Sequence, residues 1–445
     1  MAVNIRCAPD PRYHSPVQIL IDEAIPSRHL FAALGEVRPF PGRALTRDLL
    51  HDADALIVRS VTRVNAALLD AAPIRFVGTA TTGLDHIDTA YLHHRGIRLA
   101  AAEGSNGRGV AEYVLAAILH LSQQWGGSPS GKTLGVIGRG RIGSLVADWA
   151  SHCGMTVLAC DPPLADSGAP NLHRFEDIAA RCDLVTLHVP LTVAGPHPTQ
   201  GMANRDWLAR LRPGCILINS SRGEVIDEAA LAAAVRSGSL AAPVLDVWQN
   251  EPRPDPRLVA LAAVATPHIA GYTAESKLRA AEMLAAALAD HASSAAPDHA
   301  SSAAPVASGA PAGRMPPATP DRESTPADAI VVTPTQPPSS PAPVASGAPA
   351  GRMPPATPDR ESSPADVITV TPGQPSWLAA AHVLRHAVGI LTTDLAFREI
   401  VARLDPAAFD ALRARCAARR EFPAYRVHGP LDPEARAILT RLGFP

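Results

Sequence analysis

The amino-acid sequence predicts an α/β protein with two parallel sheets, and three observations support this fold class. Short apolar runs of strand length alternate with helical patterns between residues 17 and 290. The run from Lys132 to Asp161 has the pattern of a strand, a glycine turn, a helix and a second strand. Polar and small residues follow several of the apolar runs, at the positions where parallel strands would end.

The first sheet is predicted from five apolar runs. They are Gln18–Ile21, Glu36–Phe40, Ala55–Val58, Arg75–Gly78 and Ile97–Ala100. Helical patterns between them indicate a flavodoxin-like sheet. Donor-rich stretches, residues 59–62 and 78–83, follow two of these strands. Open α/β sheets bind ligands at such ends, although polar turns there explain the composition equally well.

A dinucleotide site is predicted at the glycine turn. Gly138, Gly140 and Gly143 follow the strand Thr133–Ile137 in the G-x-G-x-x-G spacing, and a helix follows them. Glycines at this spacing let the backbone turn tightly against a pyrophosphate, which the amides at the helix N-terminus then face. A second strand, Thr156–Cys160, completes a Rossmann unit.

The choice between NAD and NADP depends on Asp161, which follows the second strand of this unit. A carboxylate there accepts hydrogen bonds from the ribose hydroxyls and repels a 2′-phosphate, so NAD is the expected cofactor. Arg139 and Arg141 are a weaker signal for NADP, because a guanidinium could accept that phosphate. They can equally be solvated residues of the turn.

The second sheet continues through four further apolar runs. They are Asp183–His188, Cys215–Asn219, Val244–Val247 and Ala263–Thr266, and the apolar helix 110–122 precedes the Rossmann unit. Arg222, Glu251 and His268 follow three of these strands. Singly they could be a surface charge, a turn acid and a core histidine. Together, at the ends of a nucleotide-binding sheet, they favour a catalytic site.

These three residue types fit hydride transfer from a 2-hydroxy acid. A guanidinium such as that of Arg222 binds a carboxylate in a planar fork and keeps its charge. An imidazole such as that of His268 accepts the hydroxyl proton near neutral pH, and a neighbouring carboxylate such as Glu251 stabilises the imidazolium that forms. Asp246, at a strand end, is expected to reach the nicotinamide amide.

Composition excludes several classes of function. The balance of 40 basic and 42 acidic residues argues against a nucleic-acid or membrane-surface partner. An apolar stretch long enough to span a membrane and a signal-peptide pattern are both missing from the sequence. The six cysteines are scattered, which predicts reduced thiols in a cytoplasmic protein, and a metal site is not expected.

Residues 291–375 differ from the rest of the chain. They are rich in proline and alanine and contain no leucine, cysteine or aromatic residue, so a disordered linker is expected. The segment Ala304–Ser324 recurs identically at Ala342–Ser362. Helical patterns at 378–391, 409–420 and 433–442, with a strand near 425–427, predict a small α+β module over residues 376–445.

Several of these motifs resemble those of the D-isomer-specific 2-hydroxyacid dehydrogenases. They are Gly138–Gly143, Asn219–Gly223 with Val225–Asp227, Asp246–Pro252 and Thr266–Tyr272. The stretches Arg59–Thr62, Phe76–Thr82 and Asp161–Pro163 narrow the resemblance to a branch that oxidises a phosphorylated hydroxy acid with NAD. The similarity is strong over residues 17–290 and resumes weakly over 376–445, where it is to a dimerisation domain, so the resemblance implies a homodimer.

The resemblance also implies site residues and domains. Arg222, Glu251 and His268 would be catalytic, with His268 transferring the proton; Ser60, Thr81 and Tyr272 would contact substrate, and Asp161, Val189, Asp246 and Gly271 would contact NAD beside the three glycines. The substrate domain would comprise residues 17–109 completed by 272–290, the Rossmann NAD-binding domain 110–271, and the dimerisation domain 376–445.

This chain departs from the family pattern at three places. Val189 stands where a threonine is usual, Gly201 replaces a usual histidine, and the proline-rich insertion is unusually long. Two other functions remain open at this stage. One is the same reaction on another substrate, such as 3-phosphoglycerate or an unphosphorylated hydroxy acid, and the other is a nucleotide-sensing protein resembling the corepressors related to this family.

Overall fold

The computed structural model describes residues 16–125, 128–294, 330–331, 367–370, 376–403, 405–429 and 431–445. The strands in these ranges are β1 (Val17–Asp22), β2 (Gly35–Phe40), β3 (Ala55–Val58), β4 (Phe76–Thr79), β5 (Arg98–Ala101), β6 (Thr133–Ile137), β7 (Thr156–Cys160), β8 (Leu184–Leu187), β9 (Ile216–Asn219), β10 (Val244–Leu245), β11 (Val264–Ala265), β12 (Ile330–Val331), β13 (Val367–Thr369) and β14 (Arg426–His428).

The α-helices of the same ranges are α1 (His29–Ala32), α2 (Ala66–Leu69), α3 (Thr89–His94), α4 (Gly107–Leu121), α5 (Arg141–His152), α6 (Pro162–Asp166), α7 (Phe175–Arg181), α8 (Arg205–Leu208), α9 (Glu228–Arg236), α10 (Pro256–Leu261), α11 (Ala274–Ser294), α12 (Ser376–Val388), α13 (Ile390–Ala402), α14 (Pro406–Arg415) and α15 (Pro433–Arg441).

The chain divides into two compact units, which are described separately. Unit 1 comprises residues 1–103 and 278–333, and unit 2 comprises residues 104–277 and 334–445. Unit 2 therefore contains both the glycine turn and the C-terminal segment. The functional roles that the sequence assigns to separate domains stay predictions.

Unit 1 is built on one parallel sheet with the strand order β12-β5-β4-β3-β1-β2. Five of these strands coincide within one or two residues with those that the sequence predicts. One face of the sheet packs against α11, whose buried residues Ala280, Leu284 and Leu288 recur at helical spacing. A second apolar cluster covers the other face. The predicted parallel α/β architecture is confirmed.

Unit 2 contains the second parallel sheet, in the order β11-β10-β9-β8-β6-β7. The glycine turn joins β6 to α5, and α5 ends before Gly154, whose φ of 75° is readily adopted by glycine. Helix α4 is buried on nearly every side because α5 and α12 pack against it. The predicted Rossmann arrangement is confirmed.

The C-terminal segment, residues 376–445, packs on the Rossmann sheet of unit 2. Helices α12 and α15 share an apolar cluster with α4 and α5. From α13, Asp394 accepts a hydrogen bond from the backbone N–H of Ala265 at 2.7 Å, and Arg398 donates to the carbonyl oxygens of Val259 and Ala262. Strand β11 is the last strand of the sheet, so these contacts cover an edge that would otherwise be exposed.

Two C-terminal helices have bounds that differ from those predicted from the sequence. The predicted helix 378–391 ends at Val388, because Gly389 adopts a left-handed conformation with φ of 64°, and α13 begins after it. The predicted helix 409–420 is α14, which begins at Pro406 and ends at Arg415, before a short 3-10 turn. Apolar periodicity alone did not reveal these breaks.

The predicted linker 291–375 lies mostly outside the described residues, and the parts that are described carry structure. Helix α11 continues to Ser294. Ile330–Val331 form β12, which pairs with β5, and Val367–Thr369 form β13, which pairs with β14. β12 and β13 occupy equivalent positions in the two copies of the repeat. These few residues therefore form a helix end and two short strands, since each copy contains a β-branched run that can add a strand to a sheet, and the linker stays a prediction for the rest of the segment.

Strand β13 allows a matched test of the repeat. Ile368 is 1% exposed in the cluster around α12, so Ile368→Ala should lower the free energy of unfolding by about 2–5 kcal/mol. Thr369→Ala, at the exposed neighbouring position of the same strand, should cost less than about 1 kcal/mol, because no buried apolar group is removed there. Urea unfolding of both variants gives the comparison, and equal losses would contradict the distinction.

Candidate active site

The glycine turn of unit 2 has the geometry of a phosphate cradle. A side chain at Gly138, whose φ is 88°, would meet the carbonyl of His188, and one at Gly143 would meet the carbonyl of Gly138. A Cβ at Gly140 would instead meet no atom within 4 Å. The outer two glycines thus allow close backbone packing, while the middle one leaves open space where a pyrophosphate approaches the N-terminus of α5.

Asp161 is anchored beside this turn. One carboxylate oxygen accepts a hydrogen bond from the backbone N–H of Arg139 at 2.8 Å, and the other accepts one from Leu164 at the start of α6. The side chain is therefore held at the end of β7, next to the open side of the cradle. This position fits the ribose of a bound dinucleotide. Arg139 and Arg141 are exposed, as solvated turn residues would be.

Val189 lies against the cradle. Its Cγ1 would be 3.0 Å from a Cβ at Gly138, so the backbone after β8 borders the turn. The preceding residue, His188, has a buried imidazole within 3.0 Å of the Thr186 hydroxyl. Burial lowers the pKa of His188 to about 3, so this ring is neutral at physiological pH.

His268 and Glu251 are in direct contact. Nδ1 of His268 is 2.9 Å from Oε2 of Glu251, and the other oxygen of Glu251 accepts the backbone N–H of Trp248 at 3.1 Å. Burial raises the pKa of Glu251, but the charge and hydrogen bond of His268, with a contribution from Arg413, outweigh it and leave this pKa below its usual value. Glu251 is therefore ionised beside the imidazole.

Asp246 fixes the backbone of the turn that carries His268. This carboxylate is fully buried and accepts hydrogen bonds from the Thr266 hydroxyl at 2.6 Å and from the amides of Ile269 and Ala270 at 2.8 Å each. Its backbone carbonyl accepts the amide of His268, which has a φ of 57°. A left-handed conformation is unfavourable for histidine, so these bonds hold His268 in place.

The hydrogen bonds of Asp246 give it a structural role that the sequence did not reveal. Burial raises the pKa of this carboxyl above its usual value, while hydrogen bonds and the charge of His268 oppose the shift. Tyr113 of α4 lies 2.6 Å from the Thr266 hydroxyl and extends the network into the core. A contact between Asp246 and the cofactor stays a prediction.

Arg222 lies on the loop after β9 and is half-buried. One of its guanidinium nitrogens donates to the carbonyl of Ser221 at 2.8 Å. The next residue, Gly223, packs so closely on Trp248 and Gln249 that a Cβ would overlap their backbone. This contact brings the Arg222 loop against the segment that leads to Glu251.

Tyr272 is flanked by two cations. The ammonium of Lys277 lies 3.8 Å from the centre of the Tyr272 ring, and the guanidinium carbon of Arg413 lies 5.2 Å from it. The preceding Gly271 packs against Asn106, whose Nδ2 would be 2.6 Å from a Cβ at that glycine. Sequence reasoning missed Arg413, because α14 is remote from Tyr272 along the chain.

The two predicted substrate residues Ser60 and Thr81 lie in unit 1. Ser60 is exposed and follows β3. Thr81 follows β4, and its hydroxyl donates to the carbonyl of Gly83 at 2.9 Å and lies 2.8 Å from the hydroxyl of Thr79. Both therefore occupy carboxyl ends of parallel strands, as expected.

The C-terminal segment holds the loop that follows His268. Arg419 donates to the carbonyls of Ala270 and Gly109, and its own carbonyl accepts the amide of Ala274. Glu421 accepts the hydroxyl of Thr273 at 3.1 Å. These contacts join residues that are about 150 to 310 positions apart in the sequence. The sequence did not predict these contacts, although residues 376–445 resemble the family's dimerisation domain.

Glu112 of α4 also contacts the C-terminal segment. It accepts the backbone N–H of Phe422 at 2.9 Å and the guanidinium of Arg108 at 3.0 Å. Burial raises the pKa of Glu112 to about 8, although Arg419, the Phe422 amide and Arg108 oppose the shift. This carboxyl is therefore largely protonated at neutral pH.

The fold and the site define a class: a nucleotide-binding dehydrogenase with an acid–imidazole pair at the carboxyl ends of its strands. A family model for the NAD-binding domain of D-isomer specific 2-hydroxyacid dehydrogenases matches residues 114–270. A solved NAD⁺-bound 3-phosphoglycerate dehydrogenase from Entamoeba histolytica is similar, with a TM-score of 0.54 and 25% identity over 62% of this chain and 95% of the other. NAD is accordingly the cofactor.

Curated relatives indicate one branch within this class of dehydrogenases. An erythronate-4-phosphate dehydrogenase from Salinibacter ruber is 48% identical over 280 residues, 62% of this chain and 71% of the relative. One of the same name from Azotobacter vinelandii is 46% identical over 264 residues, 59% of this chain and 70% of the relative. The chain belongs to the D-isomer specific 2-hydroxyacid dehydrogenase family, in its erythronate-4-phosphate dehydrogenase branch.

The described ranges contain neither a membrane-spanning helix nor a metal site. Among those residues, no helix is long and apolar enough to cross a membrane, and no cluster of histidine, cysteine and acidic side chains could hold a metal ion. Cys153, Cys160, Cys182, Cys215 and Cys416 are free thiols. Burial raises the pKa of the first four to about 12, so they are unreactive packing residues.

The protonated state of Glu112 predicts a pH dependence of stability. Its pKa rises from 4.5 to about 8 in the folded protein, so the folded state retains a proton that the unfolded chain loses within this range. The stability that protonated Glu112 contributes is fully present below about pH 4.5 and is lost as the pH rises through about 8. Glu112→Gln should therefore flatten the fall in Tm over this interval.

The control is Glu434→Gln, which changes an exposed acid of the same C-terminal segment. Thermal unfolding across the interval should give this control the wild-type profile. A Glu112→Gln profile with the wild-type slope would show that Glu112 is ionised in the fold.

Proposed function

We propose that the protein oxidises the C2 hydroxyl of 4-phospho-D-erythronate to a ketone, using NAD. The observation that carries this proposal is the hydrogen bond of 2.9 Å between His268 and Glu251. It supports a proton acceptor of defined orientation in the unit that carries the dinucleotide cradle. The names of the curated relatives support the substrate.

His268 is the proposed proton acceptor. Its Nδ1 is engaged by Glu251, so Nε2 is the atom that takes the proton of the substrate hydroxyl. The positive charge formed on the ring is stabilised by the Glu251 carboxylate. NAD, when bound, accepts the hydride from C2, so the C–H and O–H bonds break as the carbonyl forms.

The other proposed roles follow from charge and position. Arg222 binds the substrate carboxylate through its planar guanidinium, and Tyr272 contacts the substrate beside it. Ser60 and Thr81, at strand ends of unit 1, are proposed to bind substrate through their hydroxyl groups. Gly138, Gly140 and Gly143 cradle the pyrophosphate, Asp161 binds the ribose, and Val189, Asp246 and Gly271 border the cofactor.

We also propose that unit 1 is the substrate-binding domain and that the protein is a cytoplasmic homodimer. Two leucines on one face of α13 support a contact between copies. Leu391 and Leu395, one helical turn apart, are 38% and 66% exposed. Exposed apolar side chains at this spacing are typical of a helix that meets a partner.

A substrate panel tests the proposed reaction. NAD reduction by the purified full-length chain should give a kcat/KM for 4-phospho-D-erythronate at least about tenfold above those for 3-phosphoglycerate and D-glycerate. 3-Phosphoglycerate is one CHOH unit shorter, so its two anions cannot both reach groups spaced for the longer acid, and D-glycerate has no phosphate. Equal or higher activity on 3-phosphoglycerate would refute the substrate. Absence of NAD reduction with every acid would refute the enzymatic role.

His268→Ala tests the proton acceptor. We expect kcat to fall by about 10²-fold or more while NAD affinity is retained, because general-base catalysis is lost and the cradle is unchanged. His152→Ala, an exposed histidine of α5, serves as the control and should leave kcat within about twofold, since surface substitutions have small effects. Stopped-flow kinetics and NAD titration give the two readouts, and wild-type turnover by His268→Ala would refute the role.

A further inference from the structure

The neighbourhood of Tyr272 contains a cation that the proposed mechanism does not use. Arg413 lies on α14, in the segment that follows the proline-rich repeats. Its guanidinium carbon is 5.2 Å from the centre of the Tyr272 ring, at a separation typical of a cation–π contact. Lys277 approaches the same ring, so two positive charges lie beside a residue proposed to touch the substrate.

The charge of Arg413 also reaches the catalytic pair. After burial and the contribution of His268, it is one of the causes that set the pKa of Glu251. Tyr272, Lys277 and Arg413 all belong to unit 2, and the two cations flank the Tyr272 ring.

Other arginines of the C-terminal segment show what a purely structural guanidinium looks like here. Arg398 pairs with Asp394 and donates to two backbone carbonyls, so its donors are used in holding α13 to the sheet. The Nε of Arg413 is buried and makes no hydrogen bond within the part of the chain that is described. Arg419 also has buried nitrogens without a partner there, but its Nη2 donates to two backbone carbonyls, as expected of a guanidinium that holds a loop. A buried charged donor is normally satisfied, so the geometry of Arg413 suits a group that completes its bonds with a ligand.

We propose that Arg413, supported by Lys277, binds the phosphate of the substrate while Arg222 binds its carboxylate. The inference rests on the proposed function, because only a substrate with anions at both ends needs two cationic anchors. A guanidinium offers several donors in a planar fork and stays charged, which suits a phosphate dianion. Tyr272 orients the guanidinium from its ring face and lies between the C-terminal segment and the catalytic loop.

Binding of inorganic phosphate tests the site without turnover. Calorimetric titration of the NAD-saturated full-length chain should give a phosphate Kd at least about tenfold weaker for Arg413→Ala, the scale of a lost charged hydrogen bond, and an intermediate value for Arg413→Lys. Arg436→Ala, an exposed arginine of α15, is the matched control and should bind as wild type. A Kd within about twofold of wild type for Arg413→Ala would overturn the proposal.

Kinetics with a substrate pair separate phosphate binding from an effect on Glu251. Arg413→Ala should lower kcat/KM for 4-phospho-D-erythronate by about 10- to 100-fold and that for D-erythronate by less than about threefold. Equal losses on both substrates would assign Arg413 to the positioning of Glu251 and overturn the inference. Phosphate binding through Arg413 in a protein that fails to oxidise 4-phospho-D-erythronate would refute the proposed function and retain the anion site.

Discussion

The geometry of the candidate active site depends on one buried carboxylate. Asp246 directly follows β10, and its carboxylate oxygens accept hydrogen bonds from the hydroxyl of Thr266 and from the two amides that follow His268. A fully desolvated acid is unfavourable unless its lone pairs are filled, and here the chain itself fills them. The unfavourable φ of His268 is maintained because straightening the turn would release several of these bonds together.

The C-terminal segment supports the same turn from the other side. Asp394 binds the strand before His268, Arg419 binds the carbonyl of Ala270, and Glu421 binds Thr273. The catalytic loop is therefore fixed between the end of a Rossmann strand and a segment that returns after the repeats. In this chain the C-terminal segment therefore contacts the turn that carries His268 directly.

The sequence predicted the two sheets and placed Glu251 beside His268, because both follow from local patterns. Apolar runs defined β6 and β7, and glycine spacing defined the turn between them. Glu251 and His268 were recognisable as polar residues at strand ends. Arg413 and Asp394 act through contacts made only after a distant segment has docked, and periodicity carries no signal for such contacts.

The repeated segment has a further consequence for folding. The two copies contain nearly the same strand, which forms β12 beside β5 in one copy and β13 beside β14 in the other. Loop-closure entropy grows only with the logarithm of chain length, so moving from one copy to the other changes closure by less than about 1 kcal/mol. Nearly the same sequence therefore supplies an edge strand to two different sheets, at almost the same entropic cost of loop closure.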